Sequence, residues 1–333
     1  MMNRRNIVKA LGASAFAPAI VLTPRTSSAQ TPAKVWRIGF VWSTSQAAGQ
    51  RFVDTIRRRL RELGSIEGRD FTAEYRWGDG NAQLARDHVA ALVQAKVDLL
   101  VTWGTYAAQA VKAATRDIPV VFVQVNDPVA SGIVASLARP GGNITGISNM
   151  LTDTSEKLLE LLKGMAPKMS RIGVLADPDN PGKVIEVQKL RGASARLGYA
   201  FEFVELRTTA DVAGAPARLA HFKSNALVIL SDGVTWTHQT ALFAMAVKLK
   251  QPAIYQLREF TAAGGLMSYG LSVTWMTERA AEYVHRIFKG TKPADLPVEQ
   301  PTRIELVINR KTANQLGLKI SGEMLLRAEE VIE

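Results

Sequence analysis

Along the chain, short apolar runs alternate with stretches in which apolar positions return every three or four residues, and this order is traversed twice. The first pass opens on Arg37-Ile38-Gly39-Phe40-Val41, an apolar run short enough for a buried strand. The second opens on Arg171-Ile172-Gly173-Val174-Leu175, about 130 residues later. Each is followed by a helical pattern closed by leucine and glycine, at Leu63-Gly64 and at Leu197-Gly198. A strand of period two comes next, FTAEYRW from Phe71 and FEFVELR from Phe201. VDLLVTWG, ending at Gly104, is then answered by ALVILSDG, ending at Gly233, and IPVVFVQ from Ile118 by QPAIYQ from Gln251. Finally Gly141-Gly142 precedes NITGIS as Gly264-Gly265 precedes LMSYG. Repeated pairings in one order predict two similar Rossmann-like α/β lobes, each a parallel sheet flanked by helices. A period this long marks paired domains, not a solenoid. Within the first helix, Phe52, Ile56, Leu60 and Leu63 form an apolar stripe with Arg57, Arg58, Arg59 and Arg61 largely off it. Those arginines read as a solvated helix face, with a docking patch for an acidic partner as the alternative.

A length of 333 residues, 47% hydrophobic and 21% charged, supports two domains with a large core. Arg4, Arg5 and Lys9 precede an apolar run from Ala10 to Leu22, and Ser27-Ser28-Ala29 supplies small residues for cleavage, so residues 1–29 are expected to be a signal peptide. The stretch from Asn3 to Lys9 also resembles a twin-arginine export signal. No other stretch approaches the roughly 18 apolar residues of a membrane span. The chain has no cysteine, which excludes disulfides, an amino-terminal lipid on cysteine, thiol catalysis and cysteine-held metals. Loss of Arg4, Arg5, Lys9 and Arg25 with the signal takes the formal charge from +11 to +7, which does not demand nucleic acid as a partner.

Catalytic patterns are scarce. His88, His221, His238 and His285 have no metal-ligand spacing, and neither a G-x-S-x-G elbow nor a phosphate-binding loop occurs. Gly141, Gly142 and Gly146 precede their strand, so they read as a turn and not as a dinucleotide fingerprint. In ADPDNPGK, Asp177 and Asp179 could hold a hard cation, but the prolines and asparagine favour a strand-ending turn and helix cap. Neither metal nor cofactor is expected.

What remains is a set of polar and aromatic strand ends drawn from both passes. In open parallel sheets ligands collect at the carboxyl ends of the strands, beside helix amino termini. Trp42, Ser43, Thr44 and Gln46 follow the first strand; Trp103, Thr105 and Tyr106 surround Gly104. The run PVVFVQVNDPVASG reads as a buried strand that stops at Asn126 and Asp127, which would face a ligand or cap a following helix. Asp177, Asp232 and Tyr255 are the corresponding ends in the second pass. If the lobes face each other across a hinge, these ends converge in one cleft. Thr105 could cap a helix from about Tyr106 and present N–H groups to a carboxylate. Asp127 or Asp232 could meet an ammonium, and the four aromatics could stack on a flat group or a cation. For each residue the competing reading is capping or core packing.

The segments RRLRELGSIEGRDFTAEYRW, IPVVFVQVNDPVASGIVASLARPGGNITGIS and ELVINRKTANQLGLKISGEMLLRAEEVIE resemble the ABC transporter substrate-binding family that includes tryptophan- and tyrosine-binding members. The resemblance covers the chain beyond the signal. It implies a type I periplasmic-binding-protein fold with three crossovers at a hinge, a solute enclosed there, and an ABC permease with its ATPase as partners. Thr105 lies where the family has a Gly-Thr-Pro-Ala-Ala pattern, and Asn126-Asp127-Pro128 matches its strand-end Asp-Pro. Tyr106 stands where proline is usual and Trp103 just before the glycine. The lobes are then expected to comprise residues 30–147 with about 272–298, and 148–271 with about 299–333, crossing near Gly146–Met150, Gly270–Val273 and Pro297–Thr302. The expected function is a periplasmic monomer that encloses a carboxylate-bearing solute, an aromatic or branched amino acid, touching the membrane only through its permease. The alternative is an enzyme on the same scaffold using Asp127 or Asp232 as a base; a ligand-sensing transcription regulator would need a DNA-binding helix pair where the export signal stands.

Overall fold

The computed structural model describes residues 34–149, 154–301 and 303–333; the expected signal peptide lies outside the described residues. Strands β1 (Trp36–Trp42), β2 (Phe71–Trp77), β3 (Leu99–Trp103), β4 (Val120–Val125) and β5 (Ile144–Ser148) form a parallel sheet in the order β2-β1-β3-β4-β5. Helices α1 (Gln46–Glu62), α2 (Ala82–Gln94) and α3 (Thr105–Ala114) make its crossovers. After β5 come α4 (Ser155–Met165), β6 (Arg171–Ala176), α5 (Pro181–Arg196), β7 (Ala200–Glu205), α6 (Thr209–Phe222) and β8 (Ala226–Ile229). They are followed by α7 (Gly233–Thr237), α8 (Gln239–Lys248), β9 (Ala253–Leu257), α9 (Arg258–Ala262) and β10 (Met267–Leu271). These strands take the order β7-β6-β8-β9-β10, the same as in the first sheet, so the repeat read from the sequence is a repeat of topology. The strands are buried as the apolar runs require: every residue of β3, β4 and β5 is buried.

The chain passes between the sheets three times, as the fold class requires. It leaves β5 for α4, and it leaves β10 for α10 (Val273–Phe288), which packs on α1, β4 and β5 of the first lobe. The return strand stays with the first sheet as far as Glu299, whose carbonyl accepts the Ser148 N–H at 2.9 Å. It then enters β11 (Glu305–Asn309), antiparallel to β10, and is followed by α11 (Arg310–Gln315), α12 (Gly322–Arg327) and β12 (Glu330–Ile332) on the outer edge of the second sheet.

One local expectation is refined and one corrected. Arg57, Arg58 and Arg59 keep 40%, 49% and 33% of their side chains exposed, as a solvated face requires, and pair with Glu67 at 2.6 Å, Glu278 at 2.6 Å and Glu282 at 2.8 Å, so the last two tie α1 to α10. No helix follows Asp127. Its φ of +36° and the φ of +69° at Gly132 turn the chain instead, and the Asp127 carboxylate accepts the Ala130 N–H at 3.0 Å.

Candidate functional site

In this strand order the crossovers change sides between β1 and β3, and again between β6 and β8, which leaves a crevice at the carboxyl ends of those strands. The residues just beyond them bridge each crevice. Ser43 Oγ donates to the Trp103 carbonyl at 2.6 Å in the first lobe, and the Asp177 N–H donates to Asp232 Oδ2 at 2.8 Å in the second. The two crevices face each other. Gly233, at the start of α7, lies so close to the first lobe that an added Cβ would stand 2.5 Å from the Ser43 carbonyl oxygen. Between them lies a cavity walled by Ser43, Thr105, Tyr106 and Asn126 on one side and by Lys183 and Asp232 on the other. Only about 10 Å³ of it admits the centre of a water molecule, room for about one water.

Helix α3 points its amino terminus into this cavity. Gly104 occupies the cap position with φ +83°, a conformation that only glycine adopts without strain, and no side chain caps the helix. Thr105 is therefore not the cap; it is the first helical residue, and its hydroxyl accepts the Asn126 N–H at 3.4 Å. The uncapped N–H groups and the aligned peptide dipoles suit an anion, at about 0.3–1 kcal/mol on an exposed helix and more when partly buried. Two of the residues that line the cavity carry a buried side-chain atom without a hydrogen-bond partner: the Tyr106 hydroxyl and Asn126 Oδ1. A buried polar group left unpaired costs about 1–3 kcal/mol, so both favour a molecule that can bond them.

Behind the cavity runs a buried ionic network that sequence reasoning missed. Lys183 Nζ lies 2.8 Å from Glu186 Oε2 and 3.2 Å from Gln256 Oε1, while Gln256 donates back to Glu186. Asn126 reaches across from the first lobe, its Nδ2 donating to Glu186 Oε2 at 3.0 Å and to the Gly182 carbonyl at 3.3 Å. Gln124 makes the second polar bridge, donating to Ser231 Oγ at 2.8 Å. Its φ of +57° within β4, where the register against β5 shifts, is the local strain that accompanies this geometry. The only available signal was a lysine and a glutamate three apart at a helix start, a spacing that ordinarily marks an exposed pair.

Of the residues expected at the site, Ser43, Trp103, Thr105, Tyr106, Asn126 and Asp232 line the cavity. The others are employed elsewhere. Gln46 is exposed and bonds Gln50; Thr44 is buried, its hydroxyl donating to the Ser45 carbonyl. Asp177 sits behind Asp232, its carboxylate accepting the Asp179 N–H, and the cap of α5 is Asn180. No group of three or more acidic or histidine side chains that could hold a metal occurs among the described residues. Trp42 and Tyr255 are core residues: Trp42 stacks on Trp103 at 5.2 Å and Tyr255 on Phe260 at 5.6 Å.

A family model described as ABC transporter substrate binding protein matches residues 38–332. The chain belongs to that family. Its members are solute-binding proteins and not enzymes, which removes the enzyme alternative; they are typically extracellular or periplasmic and work with a small-molecule ligand and a permease. A tyrosine-binding protein of Clostridioides difficile (strain R20291) is 27% identical over 267 residues, spanning 80% of this chain and 76% of that protein. A conserved domain protein from Vibrio cholerae superposes with a TM-score of 0.82 at 28% identity, over 90% of this chain and 100% of that one. An ABC domain from Streptococcus pneumonia in complex with L-Trp superposes with a TM-score of 0.81 at 25% identity, over the same shares. The fold is that of the type I periplasmic binding proteins. No helix among the described residues is long and apolar enough to cross a membrane.

The acid pair at the second crevice predicts that the stability of this substrate-binding protein depends on pH. Burial, and then the neighbouring Asp232 carboxylate, push Asp177 up to about 8. Asp232 is itself pushed up by burial, against the N–H groups of Thr235 and Asp177 and the charge of Lys183. A carboxyl whose folded pKa lies above its unfolded value of 3.8 binds its proton more tightly when folded, so stability is lost as pH rises through about 8. His285 works in the opposite sense, since burial lowers its pKa below 6.5 and stability falls as pH drops through that range. The unfolding midpoint is therefore expected to rise from pH 8.5 to about 7, and Asp177→Asn should flatten that rise. An unchanged slope in the variant would assign the effect to another group.

Proposed function

We propose that this protein is exported through a signal over residues 1–29 and, as a periplasmic monomer, encloses a small carboxylate-bearing solute between its lobes for delivery to an ABC permease and its ATPase. The lobes are taken as residues 30–147 with about 272–298, and 148–271 with about 299–333. The observation that carries this reading is the uncapped amino terminus of α3 opening into a cavity walled by both lobes, beside the unpartnered Asn126 Oδ1. The α3 N–H groups would hold the carboxylate, and Asn126 Oδ1 would accept from an ammonium or hydroxyl. The solute would shift the hinge equilibrium through contacts that exist only when the lobes meet. Relatives whose names specify tyrosine and tryptophan support an amino acid as solute and place aromatic ones on the panel to be tested.

The test is thermal unfolding of the purified protein against amino and hydroxy acids, each paired with its neutral amide. A solute at 100 times its Kd adds about 2.7 kcal/mol, so the midpoint should move by several degrees with the acid and little with the amide. Equal shifts would remove the carboxylate from the reading, and no shift across a panel extended to sugars and nucleosides would remove the solute itself.

A further inference from the structure

The aromatic side chains around the cleft are occupied with one another. Trp103, at the end of β3, is sandwiched: Trp42 stacks on it at 5.2 Å and Phe52 at 5.2 Å with planes 12° apart. Trp236 of the opposite lobe meets Phe52 edge-on at 5.4 Å and Trp103 at 6.5 Å, and then packs on Phe260 at 4.5 Å. The Arg51 guanidinium covers Phe52 at 4.6 Å and approaches Trp236 at 5.5 Å. With two stacked ring partners and one edge-on, Trp103 is only 2% exposed and leaves almost no ring surface on which a ligand's ring could stack. The residues that wall the cavity beside it are chiefly polar or charged, and Tyr106 is among them, its hydroxyl buried without a hydrogen-bond partner.

We infer that Trp103 and Tyr106 act as a size filter, and that the solute of this protein is a compact polar acid without a ring: a short amino or hydroxy acid that offers a carboxylate to α3 and an N–H or O–H donor to Asn126. The inference rests on the binding-protein reading and narrows it. A larger side chain would have to displace one of the two rings, and Trp103 can leave only by giving up its stacking on Trp42 and Phe52. The space wide enough for water holds about one molecule of it, so the walls must move apart for any solute, and further for one that carries a ring.

The experiment is calorimetric and thermal-shift titration of the purified protein with glycine, L-alanine, L-serine, lactate and glycerate, beside L-tryptophan, L-tyrosine and L-phenylalanine. At least one compact acid is expected to bind ten-fold or more tighter than every aromatic one. In Trp103→Ala the order should reverse, with an aromatic acid gaining at least ten-fold as the vacated ring space takes its side chain. Tyr106→Ala opens the other flank without touching the stack, and should relax the preference even if Trp103→Ala does not fold. Tight binding of an aromatic acid by the unaltered protein would overturn the size filter and leave the binding-protein reading standing. Retention of the compact preference in folded Tyr106→Ala and Trp103→Ala would also overturn it. Silence toward every compound, with sugars and nucleosides added, would remove both readings.

Discussion

Gly233→Val is expected to weaken solute binding about 100-fold while leaving the secondary structure of both lobes intact. An added Cβ would stand 2.5 Å from the Ser43 carbonyl oxygen, 3.2 Å from its carbon and 3.3 Å from the Gly80 Cα, and backbone cannot swing aside as a side-chain tip can. All of these atoms belong to the opposite lobe, so the clash is felt only when the lobes meet. Gly233 itself is not in the left-handed region, and α7 tolerates a side chain there as far as its own backbone is concerned. If the variant raises the closed arrangement by about 3 kcal/mol, apparent affinity falls by roughly two factors of ten, because only the closed fraction binds. Circular dichroism should match the parent, and solution scattering should give a larger radius of gyration. Undiminished affinity in a folded variant would mean that binding does not need this interlobe contact.

The largest effect on stability is expected at the ion pair behind the cavity. Lys183 and Glu186 are 2% and 0% exposed, so removal of one leaves the other's charge without compensation. Lys183→Met should cost about 3–5 kcal/mol in a urea titration, and Lys183→Met with Glu186→Leu should recover most of that loss, because paired removal leaves no orphan charge. The double variant should still bind solute more weakly, since Asn126 then keeps only the Gly182 carbonyl, at 3.3 Å, as an acceptor across the lobes. A single variant within about 1 kcal/mol of the parent would show that the pair is solvated or neutralised in place.

Several residues expected at the site are engaged in capping or packing for a common reason. Asp177 and Asp179 lie in a strand-ending turn before α5, with Asn180 as the helix cap; Asp127 closes a turn; Trp42 and Tyr255 pack against rings of their own lobe. Each type serves capping or packing as readily as binding, and the difference lies in which way the side chain leaves the backbone. The arginines of α1 followed the same logic, since their partners Glu278 and Glu282 are more than 200 positions away in the chain.

The sequence by itself determined what depends on local periodicity and on order along the chain. Apolar runs against helical stripes, repeated in one order, specified two α/β lobes of common topology, because hydrophobic spacing and turn residues act over a few positions. The switch-point strand ends were legible for the same reason: Ser43, Thr105, Asn126 and Asp232 stand where each apolar run stops. Only the tertiary structure decided what depends on distant segments of the chain meeting, within a lobe or between the two. It set Gln124 in a strained conformation aimed at Ser231, buried Lys183 against Glu186, Gln256 and Asn126, and turned the Trp103 ring into a stack with Trp42, Phe52 and Trp236. Burial of a charge or a ring is a property of the assembled fold, contributed by residues 50 to more than 130 positions apart, and no local pattern in the chain encodes it.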